Sequence, residues 1–292
     1  MKKILVIVDA DLDGAGSFLA IREAMPADTY KVVYKVTTVK SFKKDFDQFD
    51  FSQYSKVFIC DLPIYDYAYI CDYPNVVVID HHEQHVENSH VWKIAKQVVK
   101  METSCTKLIC DVFKIKDKLS KPMVTLFALI DDYDSYTLKF PFSKDLDFIY
   151  WGYTGDKLGK FIDDFGTGFV GFNKFHKNAL HIIHNEINQI IVQTKMYGTQ
   201  IPIGDKQFKM LSCCAEKWPN EIAGRMLEKY GYDFILIINP KMKKAYLRST
   251  NECKLHMGEL AEKLGQGGGH ECAAGVALNE NVMNLTKTLK LL

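Results

Sequence analysis

The first eighty residues repeat one pattern, a short unbroken apolar run that ends abruptly in acid. Ile4-Leu5-Val6-Ile7-Val8 runs into Asp9-Ala10-Asp11-Leu12-Asp13-Gly14, and Val76-Val77-Val78-Ile79 runs into Asp80-His81-His82. Runs of this length without alternation fit strands covered on both faces, as in a parallel sheet. Residues 30–36 and 56–60 extend the series, and residues 17–23, 103–113 and 121–131 carry helical periodicity between and after the strands. The first half is therefore expected to be α/β, built on a mainly parallel sheet.

Further along, residues 140–175 are rich in aromatics and glycine and read as helices joined by turns, with Tyr150, Trp151 and Tyr153 placed in the core. Residues 178–195 hold helical periodicity with no internal glycine or proline and read as a long helix linking two lobes. Beyond residue 206 the pattern changes to a compact mixed α/β lobe, with strands at 208–213, 233–238 and 244–248 and helices at 220–228 and 257–264. This gives a first domain of residues 1–190, closed by a linker helix over about 178–198, and a second of residues 199–292. The last helix breaks at Gly265-Gln266-Gly267-Gly268-Gly269-His270, where successive glycines can turn backbone N–H groups on an anion and His270 adds a donor. A helix C-cap with a flexible turn explains one glycine but not three in succession.

Composition narrows the classes. A chain of 292 residues, 47% hydrophobic and 25% charged, has apolar material for two modest domains. No apolar run approaches the roughly 20 residues of a membrane span, and residues 4–8 are too few for a signal-peptide core. A soluble cytoplasmic protein with no membrane partner is expected. The eight cysteines show no paired metal-ligand spacing and read mostly as reduced core thiols. A net charge of +1 argues against a strongly basic nucleic-acid coat, so a bound polyanion should be short.

Chemistry concentrates where the apolar runs end. Asp9, Asp11 and Asp13 fall at alternate positions of an extended segment and can project one way, while Gly14-Ala15-Gly16-Ser17 allows close backbone approach before a helix. Three carboxylates so close repel one another unless a cation holds them. The plainer alternative is a polar turn in which Asp13 or Ser17 caps the helix. A third run, Val57-Phe58-Ile59-Cys60, ends in Asp61, and a fourth, Ala128-Leu129-Ile130, ends in Asp131-Asp132-Tyr133-Asp134. Each alone reads as a cap or a solvated terminus. Four such segments in one lobe point instead to a metal site at strand ends, where open α/β sheets bind their ligands.

Together these motifs resemble the DHH phosphoesterase family, whose name-giving triplet stands here as Asp80-His81-His82. Asp9-x-Asp11-x-Asp13-Gly14 looks like the first motif of RecJ-type members and Asp61 matches the second. Ile130-Asp131-Asp132-Tyr133-Asp134 resembles the fourth, with Asp132 the better-placed ligand and Asp131 the competing choice. Gly267-Gly268-Gly269-His270, followed by Ala273-Ala274-Gly275, resembles the glycine-rich signature of the associated C-terminal DHHA1 domain, and Leu247-Arg248-Ser249-Thr250 resembles its Arg-Ser strand. The resemblance implies a DHH domain and a smaller mixed α/β DHHA1 domain with a cleft between them. It also implies two divalent ions, manganese first, with magnesium or cobalt as alternatives. Asp9, Asp11 and Asp132 would surround one ion, Asp13 and His81 the other, and Asp61 would bridge them. Oxygen and nitrogen donors suit manganese, and the lack of cysteine in the set argues against structural zinc. His82 would face the scissile phosphate as charge stabiliser or proton donor, with a structural role as the alternative, while Asp80 would orient an imidazole. Arg248, Ser249, Gly267, Gly268, Gly269 and His270 would grip a terminal or neighbouring phosphate.

The expected reaction is phosphodiester hydrolysis by an in-line water, with two metals lowering its pKa and neutralising the phosphate. A long DNA track needs a larger basic groove and stacking platforms, so a short oligonucleotide exonuclease is the first reading. A RecJ-like single-stranded DNA exonuclease and a cyclic or linear dinucleotide phosphodiesterase are the alternatives. A catalytically inactive nucleic-acid-binding scaffold is the reading from outside the enzymes, set against a full complement of acidic sites and His81. An inorganic pyrophosphatase is disfavoured, because its relatives carry a different C-terminal lobe. Sequence leaves the oligomeric state open, with a homodimer permitted.

Overall fold

Five strands, Lys2–Val8 (β1), Tyr30–Val36 (β2), Lys56–Cys60 (β3), Val76–Asp80 (β4) and Lys96–Val99 (β5), lie side by side in the order β2-β1-β3-β4-β5. Every neighbouring pair is parallel. This computed structural model describes residues 1–101, 103–250, 252–269, 271–287 and 290–291, which form two compact units, Met1–Leu180 and His181–Leu292. The division falls inside the helix Lys174–Gln193. In the first unit, residues 4–8 of β1 and 57–60 of β3 are completely buried because both sheet faces are covered, which is why these runs do not alternate. One face carries Phe42, Phe46 and Phe51 from the segments after β2, packed on Leu5, Ile7, Val57 and Ile59.

Strand order decides where the site lies. From β1 the chain moves outward to β2, whereas from β3 it moves the opposite way to β4, so the connections leaving these two adjacent strands diverge. Divergence leaves a crevice beyond the carboxyl ends of β1 and β3, the switch point at which open α/β sheets hold ligands. Asp9 to Asp13 and Asp61 follow these two strands, and Asp80-His81-His82 follows the next one in the sheet.

The helix after β1 spans Leu12–Ala24, so it starts five residues before the expected position, and its N-cap is Asp11, whose carboxylate accepts the Gly14 N–H at 2.9 Å. Neither Asp13 nor Ser17 caps it. From Leu12 to Ile21 this helix is buried, so its two glycines serve space rather than propensity. A Cβ on Gly14 would lie 2.2 Å from the Asp9 carbonyl oxygen, and one on Gly16 would lie 2.2 Å from Thr106 Oγ1 on the helix Cys105–Phe113. The helix Lys121–Asp134 opens with a Ser120 cap and a proline in its first turn and continues three residues past the expected end at Asp131.

The second unit is a seven-stranded sheet built from Tyr197–Ile203 (β6), Lys206–Cys214 (β7), Phe234–Asn239 (β8), Lys244–Ser249 (β9), Gly267–Gly269 (β10), Ala273–Ala277 (β11) and Lys290–Leu291 (β12). The order is β10-β11-β9-β8-β7-β6-β12, and the pair β7–β8, joined through the helix Pro219–Tyr230, is the parallel one. Leu211, Ile235 and Ile237 face that helix through Ile222, Ala223 and Met226, while Met210, Phe234 and Leu236 pack on Met257, Leu260 and Leu264 of the helix Met257–Leu264. The glycine run, whose plainer reading was a helix C-cap and flexible turn, is edge strand β10, paired antiparallel with β11. Its glycines admit close packing: a Cβ on Gly267 would lie 2.7 Å from the Gly275 carbonyl, and one on Gly258 2.4 Å from the Gly269 carbonyl. His270 lies outside the described residues.

Because Thr106 and Ile130 leave no room beside Gly16, Gly16→Ala should cost about 1–3 kcal/mol of folding stability through overpacking. Equilibrium urea unfolding checks this, and an unchanged midpoint would show that the two helices separate freely.

Candidate metal centre

Asp61 is where the local backbone departs from the ordinary. It follows β3 directly, adopts a left-handed conformation with φ of 61°, and is 2% exposed. A non-glycine residue in this region is uncommon, and aspartate tolerates it better than most. One carboxylate oxygen, Oδ1, lies 3.1 Å from His81 Nε2. The other, Oδ2, is buried, and among the described residues no hydrogen-bond donor reaches it.

His81 Nε2 stands among three carboxylates, with Asp61 Oδ1 at 3.1 Å, Asp134 Oδ2 at 3.7 Å and Asp13 Oδ2 at 3.8 Å. Asp13, His81 and Asp134 each offer a ligand atom within 4.8 Å of the others, and so do Asp61, His81 and His82. Asp13 is held in place by the start of the helix Cys105–Phe113, whose Cys105 and Thr106 N–H groups reach its two oxygens at 2.7 and 3.0 Å. A carboxylate at a helix N-terminus is favoured by unsatisfied N–H groups and by the helix dipole. Asp9 accepts the N–H of Ala10 at 2.7 Å, and Asp11 keeps one oxygen on its cap.

The three aspartates ending the helix Lys121–Asp134 do different work. Consecutive helical positions point about 100° apart, so Asp132 and Asp134 project to opposite sides. Asp131 accepts the Ser104 N–H at 3.0 Å. Asp132 accepts from Thr137 Oγ1 at 2.5 Å, Ser143 Oγ at 2.6 Å, Lys139 N at 2.8 Å and Phe140 N at 3.0 Å. These donors fold the segment after the helix around Asp132, which the structure does not bring to the cluster. Asp134 is brought there instead, a residue that sequence reasoning had inside its motif without singling out.

Asp80 also has two partners rather than one. Its oxygens lie 2.8 Å from His82 Nδ1 and 2.7 Å from His85 Nδ1. His85 is wholly buried, and a lone histidine five positions past an aspartate carries no sequence signal strong enough to mark it. In the second unit, Arg248 Nε donates to Asn220 Oδ1 at 2.8 Å and Nη1 to the Leu247 and Ala274 carbonyls at 2.8 and 2.9 Å. Ser249 Oγ is buried and has no hydrogen-bond partner among the described residues.

Two family models match the chain: the DHH family, N-terminal domain, over residues 3–129 and the DHHA1 domain over residues 216–292. The chain belongs to the DHH phosphoesterase family. No curated protein matches it. Among solved structures, a pGpG-specific phosphodiesterase, PggH from Vibrio cholerae, is 13% identical, with 98% of this chain and 97% of that one covered and a TM-score of 0.60. Exonuclease RecJ bound to manganese is 14% identical, with 98% and 88% covered and a TM-score of 0.53. An exopolyphosphatase-related protein from Bacteroides fragilis is 15% identical, with 98% and 90% covered and a TM-score of 0.53. At these identities the likeness is one of fold.

The electrostatics of the DHH centre test whether its residues fit a cation. Burial, followed for Asp61 and Asp134 by repulsion from Asp13 and Asp11, pushes both carboxyls well above the usual carboxylate range, and burial likewise raises Asp13. Asp9 is raised to about 6 by burial and by Asp11. Burial works against ionisation of Asp80 too, but its hydrogen bonds to His82 and His85 overcome this and hold it below the usual range. Asp132 is likewise low, at about 2, because its hydroxyl and N–H donors outweigh burial. The acids thus divide into a group in which burial and mutual repulsion outweigh the available donors, and others whose donors prevail. A buried carboxylate oxygen without a donor is costly, and a hard divalent cation is the partner whose chemistry suits it. The residues of the first group fit such an ion.

Asp134→Ala should weaken manganese binding in calorimetry by at least about tenfold while leaving the metal-free melting temperature unlowered. Asp132→Ala should instead cost about 3 kcal/mol of stability, since several donors lose a charged acceptor. Equal metal affinities in wild type and Asp134→Ala would remove Asp134 from the centre. Carboxyls raised by the fold retain protons that the unfolded chain has released, so their stabilising contribution is present below the ordinary value of 3.8 and lost as pH rises, through about 6 at Asp9. Manganese competes with those protons, so its affinity should rise steeply between about pH 5 and 7. A flat profile over that interval would contradict the assignment.

Proposed function

We propose that this DHH phosphoesterase is a divalent-metal-dependent phosphodiesterase that hydrolyses short oligonucleotides from an end. The observation that carries the reading is the segment anchored by Asp132, which begins directly after Asp134. It exposes Tyr136 and Phe140, at 48% and 49%, with Lys139 between them, and Phe142, at 46%, whose ring also packs on Phe169 and Phe172. Lys144 Nζ lies 5.9 Å from the Tyr136 ring centre. Aromatic faces interleaved with lysines match a chain of bases and phosphates, because bases stack irrespective of sequence while ammonium groups follow the backbone. Two residues of chain span at most about 7 Å, which bounds the distance from the Tyr136 backbone to that of Asp134, whereas Lys139 and Phe140 follow the loop that wraps Asp132. A platform this small suits a few nucleotides rather than a long strand.

Asp9, Asp11, Asp13, Asp61, His81 and Asp134 would hold a pair of divalent ions, manganese first, with Asp134 taking the place expected of Asp132. When bound, such ions supply Lewis acidity and activate water at neutral pH. The unpartnered Oδ2 of Asp61 supports a bridging role for that residue. His82, tied to Asp80 through Nδ1, keeps Nε2 for the phosphate, where its protonated, imidazolium form would stabilise charge or donate a proton. In the second unit Arg248 has its guanidinium fixed by Asn220 and two carbonyls. That preorganisation suits capture of a phosphate together with Ser249, Gly267, Gly268, Gly269 and His270. A linear dinucleotide is the second reading, being the shortest substrate of this class and the one named for the Vibrio cholerae relative.

A manganese-supported assay of a linear dinucleotide, a five-residue RNA, a long single-stranded DNA and a cyclic dinucleotide separates these readings. The expected order places the five-residue RNA first and the linear dinucleotide second. Phe140→Ala should raise KM for the five-residue RNA about tenfold, within the range of one lost base stack. Rapid cleavage of the long DNA alone would overturn the choice of substrate.

A further inference from the structure

Asp80 has no exposed surface, and its two oxygens are divided between two imidazoles, His82 Nδ1 at 2.8 Å and His85 Nδ1 at 2.7 Å. His85 is wholly buried as well, and Trp92 Nε1 lies 3.1 Å from its remaining nitrogen, Nε2. An indole N–H is a donor only. His85 Nε2 must therefore accept, which leaves the ring proton on Nδ1, where it donates to Asp80 Oδ2. Packing fixes this arrangement: Trp92 is 6% exposed, and its ring lies 6.0 Å from the His85 ring and 20° from parallel. Asp80 thus reaches His82 with one oxygen already engaged and its carboxylate plane set. The oxygen that remains accepts from His82 Nδ1, and the free nitrogen of His82 is Nε2.

We propose that His85 and Trp92 are positioning residues which fix the carboxylate plane of Asp80 and, through it, the rotation of the His82 imidazole, so that Nε2 is held for the site containing Asp61 and His81. Neither residue belongs to the Asp80-His81-His82 triplet; His85 meets it at Asp80, and Trp92 meets His85. The chain Trp92–His85–Asp80–His82 is a relay of orientation in which each group has one geometry available to it. Partners of this kind hold a functional imidazole in one tautomer and one rotation, and losing them typically costs about 10- to 100-fold in activity or metal affinity.

The test does not depend on the substrate. Long-range 1H–15N spectra of the full, metal-free chain at pH 8 report each histidine tautomer directly. Wild type should show both His82 and His85 as Nδ1–H. Trp92→Phe and His85→Leu leave the Asp80 acceptor in place, so His82 should keep its proton on Nδ1, but its ring resonances should shift and broaden as the imidazole loses its single rotation. With manganese and the five-residue RNA, a probe that rests on the phosphodiesterase reading above, His85→Leu should lower kcat about 10- to 100-fold with KM within about twofold. His85→Asn, whose amide can donate from the place of Nδ1, should recover at least about tenfold of that loss. A wild-type His85 protonated on Nε2, or His82 ring resonances and kcat unchanged by both replacements, overturns the proposal. Should His85→Leu fail to fold, Trp92→Phe and His85→Asn carry the same comparison. The expected spectra from a protein that ignores the RNA support the relay and count against the substrate alone.

Discussion

The structure depends on negative charge gathered where water is scarce. Asp13, Asp61 and Asp134 converge on one imidazole nitrogen at the carboxyl ends of parallel strands, and burial makes their ionised forms expensive before any mutual repulsion is added. Around them the fold places devices that make this crowding tolerable. A helix N-terminus receives Asp13, two histidines receive Asp80, and a folded loop receives Asp132. What is left without a donor, Asp61 Oδ2, marks the position for which the protein supplies no counter-charge of its own.

Much of this arrangement was legible in the sequence because the same physics acts on composition. Strands sealed on both faces must be apolar throughout, so β1, β3 and β4 stand out, and a strand order of 2-1-3-4-5 collects whatever follows β1 and β3. Strand β2 was readable to the residue, although it is a half-buried edge. Strand β5, four partly exposed residues beginning with lysine and glutamine, and β6, interrupted by glycine and proline, carry too little pattern to be seen.

The choice among Asp131, Asp132 and Asp134 was hidden for a different reason. Motif spacing places an acid near a helix end, but which carboxylate meets the cluster depends on whether the last turn stays helical. Three additional helical residues rotate the choice from Asp132 to Asp134. His85 was hidden because its meaning lies in Trp92 and Asp80, whose contacts with it arise only after folding. The glycine run shows the converse: its composition was conspicuous, yet its glycines serve the close approach of a strand to its neighbours.

One feature of the backbone bears on how this centre can change. At φ of 61°, position 61 suits glycine, which has no Cβ, and asparagine as well as aspartate, whose short polar side chains can offset the Cβ crowding by local hydrogen bonding, whereas alanine and glutamate offer no such offset. The conformation therefore filters substitutions independently of charge. Descent of this site toward a protein that binds without cutting has an accessible first step, aspartate to asparagine, which removes a charge while leaving the turn intact. A longer acid cannot enter as readily, so the reach of the carboxylate at this strand end is set by the main chain and not by selection on the ion alone.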